Sequence, residues 1–142
     1  TGDACCLYPI GVALLWKGEP QAALEAMQLD ESVFSIIGLS LVYHALGRAD
    51  ESDAALAELI EQYEQTMSYQ IAYVLAYRGE ADRAFEWLDK AVAYKDLGLP
   101  QIINQPLFAN IHDDPHWLPF LESRGKSPEQ LAAIEFKVTL PK

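Results

Sequence analysis

Ile71-Ala72-Tyr73-Val74-Leu75-Ala76-Tyr77-Arg78-Gly79-Glu80-Ala81-Asp82-Arg83-Ala84-Phe85-Glu86-Trp87-Leu88-Asp89-Lys90-Ala91 is the stretch whose reading decides the fold. It reads as two amphipathic helices joined at Arg78-Gly79-Glu80. Ala84 and Ala91 share one face of the second helix with Leu88 between them, so small side chains stand where the first helix must approach. Gly79 suits the end of the first helix, where a left-handed residue costs glycine little. Asp82 falls in the first turn of the next helix, where a negative charge meets the positive end of the dipole. Such a hairpin cannot bury its apolar face alone and needs copies of itself.

The copies lie upstream. Leu14-Leu15-Trp16-Lys17-Gly18-Glu19-Pro20-Gln21-Ala22-Ala23-Leu24 has the same order of features: apolar helix end, glycine, acid, alanine-rich start. Tyr43-His44-Ala45-Leu46-Gly47-Arg48-Ala49-Asp50-Glu51-Ser52 repeats it, with Ser52 at the small position. Gly18 and Gly47 are 29 residues apart, and Gly47 and Gly79 are 32 apart. The small, large and small positions of the second helices are Ala23, Met27 and Asp30, then Ser52, Leu56 and Leu59, then Ala84, Leu88 and Ala91. Asp30 departs from that pattern. The first helices carry Leu7, Ile10, Gly11 and Leu14, then Ile36, Leu39, Ser40 and Tyr43, then Ser68, Ile71, Ala72 and Leu75 at matching positions.

A helix-turn-helix unit with a period near about 34 residues resembles the tetratricopeptide repeat (TPR), here over residues 7–94. That resemblance implies an all-α fold: a short right-handed superhelix of three antiparallel TPR hairpins, followed by C-terminal capping helices. The expected helices span 7–17, 20–29, 32–46, 50–64, 66–78 and 81–94, within a single domain of residues 1–142. Pro20 sits in the first turn of its helix without losing a donor. Asp30 and Ser32 are the available caps for the third helix. Gly38 inside that helix points to close contact with a neighbour.

After Tyr94 the pattern breaks at Lys95-Asp96-Leu97-Gly98-Leu99-Pro100, and an apolar connection to about Ile111 should lay Leu107 and Phe108 against the last hairpin. Asp113-Asp114-Pro115-His116-Trp117 reads as a helix start, with Trp117, Phe120 and Leu121 on one face and Gly125 at the end. Ser127-Pro128-Glu129-Gln130 is a capping box opening a last helix to about Phe136, with Leu131, Ile134 and Val138 apolar. Val138-Thr139-Leu140-Pro141 reads as an extended tail.

Residues 66–141 narrow the resemblance. Ala76-Tyr77-Arg78-Gly79-Glu80 with Ala84-Phe85-Glu86-Trp87-Leu88, then Asp114-Pro115-His116-Trp117, then Ser127-Pro128-Glu129-Gln130-Leu131 together resemble the C-terminal TPR region of certain bacterial signalling proteins. In that family the region follows an adenylate cyclase or winged-helix DNA-binding domain, often with a TolB-like segment between. The implied role is a non-catalytic module for protein–protein interaction or self-association, with any cyclase activity lying outside this segment. The chain opens at Thr1 rather than methionine, which reads as a piece excised from a longer protein, with cytoplasm and periplasm both compatible.

Composition agrees with binding rather than catalysis. Hydrophobic residues make up 51% of the 142, enough for a core, so the segment is not read as a disordered tail. A net charge of −11 repels phosphate backbones, which argues against nucleic acid as a partner. No apolar run approaches the about 18 residues that a membrane span needs. Cys5 and Cys6 are adjacent and read as packing residues rather than a disulfide or zinc site. The sequence shows no phosphate loop, nucleophile motif or cofactor signature. His112, Asp114 and His116 could together ligate a metal, which gives a second reading as a metal-dependent sensor or enzyme, although the same residues serve a turn and a helix cap.

In a TPR stack the first helix of each pair lines the concave side. By that resemblance the groove residues are Tyr8, Val12 and Trp16, then Phe34, Ile37, Leu41 and His44, then Tyr69, Gln70, Tyr73 and Tyr77. Tyrosine and tryptophan there would contact a partner polypeptide, or a second copy of the chain, through large rings with polar tips. The groove is either open or filled by the chain's own C-terminal tail. The basic residues with which such domains grip a terminal carboxylate are missing: Tyr8, Val12, Gly38, Thr66 and Gln70 stand at those positions.

Overall fold

A computed structural model describes residues 7–135. Among them every regular element is a helix, and the fold is all-α. Three helical hairpins come first: α1 (Leu7–Trp16) with α2 (Pro20–Leu29), α3 (Phe34–Ala45) with α4 (Ala49–Tyr63), and α5 (Ser68–Tyr77) with α6 (Ala81–Ala93). Two 3-10 helical stretches follow, Leu99–Asn104 and Pro106–Ile111, then α7 (Trp117–Ser123) and α8 (Pro128–Glu135). The boundaries of α1 to α6 lie within two residues of those expected from the sequence.

The hairpins share one way of turning. Gly18, Gly47 and Gly79 have φ of 79°, 75° and 79°. At each, the glycine amide donates to the carbonyl three residues back, and the next amide reaches five back, as in Glu80 N to Leu75 O at 2.9 Å. This double bond set satisfies the carbonyls that the helix end leaves free. A Cβ on any of the three glycines would meet nothing within 4 Å, so the backbone angle alone calls for glycine. Gly125 ends α7 in the same manner, at φ 71°. Lys95 does so after α6, at φ 57°, without glycine's freedom.

Each hairpin packs on the next. Beyond the contacts within pairs, α2 lies on α3 and α4 on α5, while α1 touches α3 and α3 touches α5. The positions read as helix contacts are buried: Ala84, Leu88 and Ala91 at 0% exposure, and Ser52, Leu56 and Leu59 at no more than 3%. The Ser52 hydroxyl donates to the Ser40 carbonyl at 2.7 Å, pinning α4 to α3. Met27 is wedged between two glycines of different helices: a Cβ on Gly11 would come within 2.4 Å of its Cε, and one on Gly38 within 2.2 Å of its Sδ. The close contact expected at Gly38 is therefore with α2.

Two aspartates hold the open ends of the first and third hairpins, a role the sequence reading missed. Asp30, expected as a cap for α3, is buried, and its Oδ2 accepts the Tyr8 amide at 2.9 Å at the start of α1. Its Oδ1 accepts the Ser32 amide at 2.7 Å, and the Ser32 hydroxyl in turn accepts the Phe34 amide at 3.2 Å. Ser32 thus steadies the turn ahead of Val33, the N-cap residue of α3, while Asp30 ties the end of α2 back to α1. Asp96 repeats the device after α6, accepting the Tyr69 amide at 3.0 Å and the Gly98 amide at 2.8 Å.

The C-terminal part closes over the third hairpin. Leu107, Phe108 and Ile111 from the second 3-10 stretch and Trp117, Phe120 and Leu121 from α7 join the core containing α5 and α6. The expected start of α7 at Asp113–Pro115 is corrected: the helix begins at Trp117, because the Asp114 carboxylate takes the His116 amide at 2.8 Å and spends another turn before the helix. The capping box before α8 forms reciprocally, Ser127 N to Gln130 Oε1 at 3.0 Å and Gln130 N to Ser127 Oγ at 3.3 Å. Leu131 is half-buried. The readings for Cys5, Cys6, Phe136 and the tail from Val138 lie outside the described residues, as does the side chain of Ile134.

Candidate interaction surface

The first helices α1, α3 and α5 stand side by side and carry the aromatic residues singled out in the sequence. Their middle is filled. Tyr69 and Tyr73, placed on the groove by the sequence reading, are each 3% exposed, and Ile37 and Leu41 are fully buried. The Phe108 ring lies 5.5 Å from Tyr69 and 6.3 Å from Tyr73, with Trp117 behind it at 5.8 Å. The stretch Pro106–Ile111 fills this middle, as the expected packing of Leu107 and Phe108 on the last hairpin requires, while the tail from Val138 lies outside the described residues. Gly98 passes so near Tyr69 that a Cβ there would fall 2.4 Å from the ring.

Burial raises the phenol pKa values in this cluster. Tyr8 is pushed up to about 12 by desolvation, against the lowering effect of its hydrogen bond to Tyr73. Tyr73 is raised well above its ordinary value by burial, and Tyr69 by burial and then by the charge of Asp96. The Tyr8 and Tyr73 hydroxyls bond each other at 2.7 Å, whereas the buried Tyr69 hydroxyl and Gln70 Oε1 have no hydrogen-bond partner among the described residues. These phenols stay neutral across the physiological range and serve as packing and tie points.

Two aromatic spots remain at the surface, at opposite ends of the filled middle. At the start of α3, Phe34 is 37% exposed and lies 5.3 Å from the half-buried Tyr8 ring. At the other end, Trp16, His44 and Tyr77 converge from the last turns of α1, α3 and α5. Trp16 meets Tyr77 edge-on at 6.2 Å, and His44 meets it edge-on at 5.6 Å. Trp16 is 52% exposed, His44 is exposed and Tyr77 is half-buried. Asn110 donates to the Tyr77 carbonyl at 2.9 Å and borders the spot.

Arg78, read from the sequence only as a turn residue, anchors this end. Its Nη1 donates to Ser52 Oγ at 3.1 Å, its Nε lies 2.9 Å from Glu80 Oε2, and its Nη2 pairs with Asp53. Arg83 adds a bond to Glu80 at 2.9 Å. Burial, and then the Arg78 charge, lower the His44 pKa, which keeps the imidazole neutral at pH 7. A neutral imidazole, an indole and a phenol on one surface can offer ring faces and weak hydrogen bonds to a partner.

Of the His112, Asp114 and His116 cluster, Asp114 and His116 stay bonded to each other while His112 packs on a tryptophan. The His112 ring lies 4.6 Å from Trp117, while His116 lies 5.5 Å from Phe85 and its Nδ1 is 2.8 Å from Asp114 Oδ1. Among the described residues no group of three His, Cys, Asp or Glu side chains is placed to hold a metal ion. Nor is any described helix long and apolar enough to cross a membrane. No protein-family model, curated protein or solved structure matches the chain.

Proposed function

We propose that the chain is a non-catalytic docking module of the tetratricopeptide kind, built as a short right-handed superhelix and serving as the C-terminal part of a bacterial signalling protein. In this reading the spot formed by Trp16, His44 and Tyr77 takes a partner polypeptide or a second copy of the chain. The observation that carries it is the 52% exposure of Trp16, a large ring standing beside two others, whereas Tyr69 and Tyr73 in the middle of the same helix layer, and Phe108 against them, are buried. Aromatic side chains of this kind dominate the energetics of protein interfaces. Three hairpins turning on the same glycine geometry support the repeat assignment, and the effector domain of the parent belongs to the same proposal.

The test compares the chain with a Trp16→Ala/His44→Ala variant, both positions being exposed. Light scattering over a concentration series reads self-association, and immobilised chain reads capture of partners from a bacterial extract. The double substitution should cut dimerisation or capture at least about tenfold while circular dichroism shows the helices retained. Equal association by the two proteins would sink the reading.

A further inference from the structure

The first helix exposes an apolar face that its counterparts keep covered. Aligned on the hairpin glycines, Pro9, Ile10 and Ala13 of α1 match Gly38, Leu39 and Val42 of α3, and Gln70, Ile71 and Val74 of α5. In α3 these positions face the preceding second helix: Val42 is fully buried in one cluster with Ala23, Leu24 and Met27 of α2, and Leu39 packs against that cluster. In α5, Ile71 and Val74 are 0% exposed in the cluster that includes Leu56 and Leu59 of α4. In α1 the same positions face solvent: Ile10 is 53% exposed, and Pro9 and Ala13 are exposed beside it. Leu7–Trp16 contains no charged residue, and a helix apolar all round is the kind that a protein covers.

We infer that this face of α1 is a docking surface for a further helical hairpin, whose second helix packs on α1 as α2 packs on α3 and α4 on α5. The inference concerns a different face from the Trp16, His44 and Tyr77 spot and does not rest on it. The interface is the next step of a series already present twice, so its chemistry can be read from those two. The incoming helix should present an alanine or serine followed by leucine or methionine, as Ala23, Leu24 and Met27 and then Ser52, Leu56 and Leu59 do. A second copy of this chain is the poorer occupant. Each copy carries −11, and Glu19 and Glu25 stand exposed on the same hairpin, so like charges would face each other. Head-to-tail addition is closed as well, because the 3-10 stretches and α7 already cover the third hairpin.

The probe is a copy of residues 34–67 fused ahead of Thr1 in the full chain, with residues 1–6 as its linker. Amide hydrogen exchange across α1 should slow at least tenfold relative to the unfused chain, and exchange across the second helix of the added hairpin should be protected with it. Ile10→Glu/Ala13→Glu in the fusion should abolish both changes. The same pair in the unfused chain should leave its circular dichroism and thermal midpoint unchanged, showing that the face contributes nothing to the isolated fold. Exchange that is the same with and without the added hairpin would overturn the inference, as would slowing that survives the charged pair. A concentration-dependent dimer of the unfused chain, lost with Ile10→Glu/Ala13→Glu, would overturn it in favour of self-pairing.

Discussion

Helices α1 and α5 are the same length and both lack charged residues, and α1 is the more apolar, yet they live in opposite surroundings. Along α5 every residue from Ser68 to Ala76 is buried except Gln70, whereas Gly11 is the buried residue of α1. The difference is made by what lies on either side. α5 receives α4 on one face, α6 on another and the stretch around Phe108 on a third. α1 receives α2 and one edge of α3. Hydrophobic composition alone therefore fails to say which helix is core: neighbours decide it.

That contrast can be broken most directly at its two ends. Phe108→Ala should cost about 3–5 kcal/mol, since it empties a fully buried aromatic position and uncovers Tyr69 and Tyr73. Ile10→Ala should change stability by less than about 0.5 kcal/mol, as expected of an exposed side chain. Urea titrations of the two variants check both, and similar losses would show that the two helices are covered alike.

Within the α1 end, Gly38→Ala should destabilise by about 1–2 kcal/mol. The overpacking against Met27 exceeds the gain of about 1 kcal/mol in helix propensity that alanine ordinarily brings. Met27 has no room to swing aside, because Gly11 lies against the same side chain. A stabilised variant in thermal unfolding would mean that α2 and α3 sit farther apart than described.

Asp30→Asn should cost about 1–2 kcal/mol at pH 7 through its cap and its buried bonds. Burial pushes the Asp30 carboxyl up, but bonds from the Ser32 hydroxyl and amide and from the Tyr8 and Leu7 amides outweigh it and hold the pKa below its ordinary value. A carboxylate lowered in this way contributes stability that is fully present above its unfolded value of about 3.9 and is lost as pH falls through the folded value. The gap between the native chain and the variant should therefore narrow in acid. A gap independent of pH down to about 2 would assign the effect to packing instead.

An effect of opposite sign is expected where the fold uses a non-glycine residue in a glycine conformation. Lys95→Gly should stabilise by about 0.5–1 kcal/mol by relieving the left-handed backbone after α6. Differential scanning calorimetry would detect the rise in midpoint.

Much of this fold was legible because its punctuation is local. Gly18, Gly47 and Gly79 announce helix ends, and alanine or serine at Ala84, Ala91 and Ser52 announces close helix contact. The aromatic surface was less legible. Tyrosine joins an apolar ring to a polar tip, so Tyr73 buried against Phe108 and Tyr77 at the surface look alike in sequence. Asp30 was misassigned for a related reason. Read locally it precedes α3, but its main duty is to an amide 22 residues earlier, which only the returning chain brings near. Arg78 shows the same limit: beside Gly79 it looks like a turn residue, while its partners Ser52 and Asp53 belong to another hairpin.

The hydroxyl pair of Tyr8 and Tyr73 spans 65 residues and joins the first hairpin to the third, and Trp16 against Tyr77 does so again at the other end of the same helices. A stack whose units touch only their neighbours can fray one unit at a time from its ends. Here the first hairpin cannot peel away without tearing two aromatic ties to the third. Melting should accordingly be a single cooperative event, with the three units sharing one fate.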